Sequence, residues 1–136
     1  MVIGLLTAFQ IHLAENPLPS HRRQGASTKT IQGYVQDISI FLRWWQGSFG
    51  EDLTMDVLRS DPFRLNRKVL QDFLSWLQTT QRYSASAILR YAASLRTFCQ
   101  YLISTQILYW SAKGWTTWLK TKKCILNIST IYRLAI

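Results

Sequence analysis

Ile31, Tyr34, Ile38, Phe41, Leu42 and Trp45 recur at intervals of three and four residues. That spacing lays six apolar side chains along one stripe of an α-helix, and a β-strand of the same residues would scatter them over both faces. The opposite side carries Lys29, Gln32, Gln36 and Arg43. Ser27 or Thr28 can cap the start, because a side-chain oxygen there satisfies an orphan backbone N–H. Residues 28–46 therefore predict an amphipathic rod about 28 Å long. Gly47 and Gly50 are expected to stop it.

Two further segments repeat the pattern. Asn66 is a good cap for a helix over residues 67–80, with Val69, Leu70, Phe73, Leu74, Trp76 and Leu77 as its apolar positions. Ser84 or Ser86 caps another that runs to about residue 103. Its stripe is Ile88, Leu89, Ala92, Leu95, Phe98 and Leu102, and its polar face holds Ser86, Arg90, Ala93, Thr97 and Gln100, with Arg96 on the flank. A shorter helix is expected within residues 2–14, from Leu5, Leu6, Phe9 and Leu13, ended by Pro17 and Pro19. Residues 47–65, with mixed charges, read as a loop. Four helices with short connections predict a compact all-α bundle of about 100 residues. Tyr34, Phe41, Trp45, Phe73, Trp76 and Phe98 are expected in its core. Residues 105–136 show no clean period of 3.6 or 2, and only part of 124–132 suggests a strand.

Charge narrows the function. The chain has 16 Lys and Arg against 7 Asp and Glu, a net of +9. All seven acids lie within residues 1–72, and residues 73–136 hold eight bases and no acid. This balance favours a polyanionic partner, nucleic acid first and an anionic membrane surface second. No apolar run approaches the roughly 18 residues of a membrane span. The apolar N-terminus lacks the basic flank and small-residue cleavage site of a signal peptide. Cys99 and Cys124 have no CxxC partner, so a reduced, cytoplasmic compartment is expected.

Much chemistry has no residues to run on. The two histidines, His12 and His21, form no HxxxH or HExxH, and no Cys/His cluster exists. No GxxxxGK[ST] or GxGxxG loop occurs. Asp52, Asp56 and Asp61 match no calcium-loop spacing. No metal, cofactor, small-molecule substrate or complete active site is expected within these residues.

Residues 27–103 resemble the N-terminal, SAM-like core-binding domain of tyrosine recombinases, also called phage integrases. Ser27, Thr30, Tyr34, Asp37-Ile38, Phe41 and Trp44 match the first part of the family pattern in order. The stretch from Val69 to Leu77 (VLQDFLSWL) is similar to the family's third helix. The stretch from Ser84 to Leu102 is similar to its fourth, with a Ser-rich start, a central Ser94-x-Arg96 and a Phe98-x-x-Tyr101-Leu102 end. The resemblance implies a four-helix SAM-like bundle over residues 27–104, preceded by a helix and linker (1–26) and followed by a basic, Trp-rich tail (105–136).

The resemblance also implies a role. In this family the domain forms half of a clamp on duplex DNA, with its second and fourth helices at the major groove. Carried onto this chain, that makes Thr28, Lys29, Gln32, Gln36, Arg43, Arg82, Ser84, Ser86, Arg90 and Arg96 the candidate DNA-binding residues. Lys and Arg neutralise phosphates, Ser and Thr at helix starts donate to them, and Gln and Arg reach base edges. Other recombinase protomers are further expected partners. The family's chemistry needs a His-x-x-Arg and a nucleophilic Tyr in a second domain; no His follows residue 21, and nothing around Tyr132 matches. The implied chain is a recombinase cut off after its first domain, not an enzyme itself, its tail a frameshifted or unrelated coding stretch. The alternative is a small helical module that pairs with or regulates another protein, or the remnant of a truncated recombinase gene.

Overall fold

The computed structural model describes residues 4–15 and 28–107, with Thr28 and Lys29 described in their backbone alone. Among these residues the structure is all-α, with no strand. Five helices follow in order: α1 (Leu5–Glu15), α2 (Thr28–Phe49), α3 (Met55–Ser60), α4 (Arg67–Thr79) and α5 (Ala85–Ser104). The chain divides into two compact units, Met1–Val57 and Leu58–Ile136. The suggested strand within 124–132 and the tail tryptophans Trp110, Trp115 and Trp118 lie outside the described residues.

In the first unit α1 packs on α2. Leu5, Phe9 and Leu13 of α1 are buried, one turn apart. On α2 the stripe read from the sequence holds: Ile38, Phe41 and Trp45 are fully buried. α2 does not stop after residue 46 as expected. Gly47 sits inside the helix, which runs to Phe49, about 33 Å in all. The extra turn brings the Phe49 ring to 4.4 Å from that of Trp45 and 6.2 Å from that of Trp44. Packing of this kind offsets the roughly 1 kcal/mol that glycine costs inside a helix. The stop comes at Gly50, whose φ of +74° ends the helix in the left-handed region.

The expected loop 47–65 contains structure. Thr54 Oγ1 accepts from the Val57 N–H at 3.2 Å and starts α3, which buries Leu58. A 3-10 turn, Pro62–Arg64, follows. Six residues make fewer than two turns, too few for a period to show in the sequence.

In the second unit α4 packs on α5. Asn66 caps α4 as expected: its Oδ1 accepts from the Val69 N–H at 3.0 Å, and its Nδ2 donates to the Phe63 carbonyl at 2.9 Å. Asn66→Ala is expected to destabilise the chain by about 1 kcal/mol in urea denaturation followed by circular dichroism. Ser84 caps α5, accepting from the Ala87 N–H at 3.2 Å. Phe73 and Phe98 are fully buried, as expected. Tyr34 and Trp76 are only half-buried. Trp76 stands on the flank of its stripe, one ring face against Phe73 at 6.0 Å.

Cys99 is fully buried on α5, and burial pushes its thiol up from 9.0 to about 12. The thiol stays protonated in the folded chain while the unfolded one ionises above pH 9. Its share of the stability is thus complete below pH 9 and is lost as the pH rises toward about 12. In a Cys124→Ser background, Ellman's reagent at about pH 8 is expected to leave Cys99 untouched until denaturant is added.

Candidate nucleic-acid interface

Among the described side chains, the exposed side of α2 carries amides and one cation. Gln32, Gln36 and Arg43 are exposed, as is Gln46. At 100° per residue these four fall within an arc of about 80°. Ser39 shares the arc, and its hydroxyl donates to the Gln36 backbone carbonyl at 2.6 Å. Asp37 is buried, well round the helix from this arc. Thr28 and Lys29 open α2, and their side chains lie outside the described residues.

The second group of candidates gathers where α4 turns into α5. The turn is held by main-chain bonds: the Thr80 and Gln81 N–H groups donate to the Trp76 carbonyl, and the Tyr83 N–H donates to that of Leu77 at 3.0 Å. Arg82 occupies the left-handed region with φ +56° and is exposed. A non-glycine residue there is strained by roughly 1 kcal/mol. Ser84 and Ser86 follow, both exposed, with their Oγ atoms 3.2 Å apart. Ser84 is a cap first, since its oxygen already accepts from Ala87. Its hydroxyl hydrogen is still a donor.

Arg90 is exposed on the second turn of α5. Its guanidinium lies 4.9 Å from the centroid of the Tyr91 ring. Tyr83 stacks on Tyr91 at 5.6 Å, and Phe73 meets the same ring edge-on at 6.1 Å. Tyr83 and Tyr91 were not among the residues singled out from the sequence, although each follows an arginine, in Arg82-Tyr83 and Arg90-Tyr91. Their stacking closes across the turn, between residues whose pairing no helical period indicates.

Beyond Arg90 the expected polar face is interrupted at Thr97, while Gln100 is exposed. Arg96 is half-buried, and Thr97 is buried. Thr97 Oγ1 donates to the Ala93 carbonyl at 3.1 Å, so its hydroxyl is satisfied inside its own helix and tolerates burial. Helical period alone places Thr97 beside Arg90, and tertiary packing covers it. Arg82 and Arg90 remain exposed at the helix start. Among the described residues no group of three or more His, Cys, Asp or Glu could hold a metal ion. No described helix is long and apolar enough to cross a membrane.

Residues 13–108 match the family described as "Phage integrase, N-terminal SAM-like domain". The chain belongs to this family. The match to the phage-integrase SAM-like domain opens inside α1 and takes in α2 to α5, so it contains the whole stretch on which the resemblance was read. A protein named TnP I resolvase from Bacillus thuringiensis is 26% identical over 82 residues, which make up 60% of this chain and 26% of that protein. The chain thus spans about a quarter of the length of that relative. No solved structure gives a significant match.

Proposed function

We infer that this SAM-like domain binds duplex DNA as the N-terminal module of a phage-integrase-type recombinase. The family match over residues 13–108 carries the reading. The exposed side chains support it. Arg82 and Arg90 are exposed on a stretch, residues 73–136, that contains eight bases and no acid, a balance that suits a polyanion. In this reading Arg43, Arg82, Arg90 and Arg96 neutralise phosphates, and Lys29 and Thr28 add to them at the start of α2. Ser84 and Ser86 donate to a phosphate oxygen, with the positive end of the α5 dipole behind them. Gln32 and Gln36 face base edges.

Strand cleavage is assigned elsewhere. These 136 residues contain no His-x-x-Arg, and the proposed chain holds DNA without cutting it. Complete recombinase protomers, bound alongside in the cytoplasm, would supply the chemistry. Fluorescence anisotropy of a labelled duplex of about 25 base pairs, titrated with the full chain at about 50 mM NaCl, tests the reading. Saturable binding is expected, with supercoiled plasmid neither nicked nor relaxed under the same conditions. No binding at this low salt discards the reading, and nicking discards the non-catalytic part of it.

A further inference from the structure

The exposed arc of α2 differs in chemistry from the start of α5. Among the described side chains it presents three primary amides, Gln32, Gln36 and Gln46, and one cation, Arg43. The Ser39 hydroxyl on the same arc is engaged by the backbone at 2.6 Å, and Asp37 is buried away from it. The described side chains that reach outward on this arc are therefore mostly uncharged. Amides release no counterions and add little to non-specific attraction. They do offer a donor and an acceptor side by side, which matches the N7 acceptor and N6 amino donor that adenine shows in the major groove. A lone helix about 10–12 Å across fits that groove, which is about 12 Å wide. Gln32 and Gln36 stand four residues apart, about 6 Å along the axis, close to two base-pair steps of about 3.4 Å.

We propose that Gln32 and Gln36 read two adenines in the major groove, about two base-pair steps apart, while Arg82 and Arg90 supply the salt-dependent affinity. This rests on the duplex-DNA reading above and assigns the sequence preference to the α2 face. Phosphate contacts hold the protein without reading sequence, and base contacts do the reading. The two sets of side chains should therefore fail in different ways when removed.

The experiment is selection from a randomised duplex pool of about 20 base pairs at about 50 mM NaCl, using the full chain and its Gln32→Ala, Gln36→Ala and Arg90→Ala variants. The wild-type chain is expected to enrich a pair of adenines about two steps apart. Each glutamine variant is expected to lose enrichment at one of the two positions. Its preference for the enriched duplex over a scrambled one should fall roughly 5- to 100-fold, with the salt dependence unchanged. Arg90→Ala should do the reverse, lowering the salt slope by about 1 and keeping the preference. Alanine is a better helix former than glutamine, so thermal melts of both glutamine variants should match the wild type. Pools from the glutamine variants identical to the wild-type pool, with binding intact, overturn the amide assignment and leave DNA binding standing. A loss of enrichment in only one of the two glutamine variants overturns the paired reading. No salt-dependent binding by the wild-type chain overturns both.

Discussion

Phe98→Ala is expected to destabilise the chain by about 3–5 kcal/mol. The Phe98 ring is fully buried on α5. Its removal forfeits the transfer energy of a large aromatic and leaves a cavity that close-packed neighbours fill only in part. Domains of this size hold only about 5–15 kcal/mol of net stability, so the loss takes a large share of it. At a few degrees per kcal/mol the melting temperature should drop by roughly 10 °C or more. Leu89→Ala on the same helix is the control. Leu89 is 36% exposed, and its truncation should cost about 1 kcal/mol or less. Thermal and urea melts by circular dichroism measure both. Equal effects at the two positions would contradict the burial of α5 described above.

Raising NaCl from about 50 to about 200 mM is expected to weaken duplex binding on the order of 100-fold. About four phosphate contacts, from Arg43, Arg82, Arg90 and Arg96 or Lys29, give a log–log slope near −3.6. The double variant Arg82→Ala/Arg90→Ala removes two of them. Its slope should halve, and the same salt step should then cost it only about 10-fold. These two positions are the informative ones because both are exposed, and Arg90 is held against Tyr91 at 4.9 Å, which reduces the rotamer freedom lost on binding. Titrations at four or five salt concentrations give the slope directly. A wild-type slope near zero, or a double variant with the wild-type slope, rules out these arginines as phosphate contacts.

The three long helices were legible because each repeats its apolar spacing over several turns, as Ile38, Phe41 and Trp45 do on α2. Asn66 and Ser84 were legible as caps because a short side chain bearing oxygen stood just before such a run. The same reasoning missed α3, where six residues from Met55 to Ser60 carry no period. It ended α2 early, since glycine propensity at 47 spoke against a turn that the Trp45–Phe49 contact holds together. It put Thr97 outside, because period describes a helix in isolation while burial depends on what lies against it. At the candidate site the exposure of Gln32, Gln36, Arg43, Arg82 and Arg90 agrees with the sequence reading. The Tyr83–Tyr91 stack under Arg90 was not legible, being a contact that only the closed α4–α5 turn creates.

That turn has a kinetic side. α4 and α5 are joined by a few residues whose backbone groups bond back to Trp76 and Leu77. Their shared core is built from neighbours along the chain, so the loop to be closed is short and its entropy small. This hairpin should form early and without waiting for any distant segment. On the ribosome, it could be completed as soon as Leu102 has left the exit tunnel.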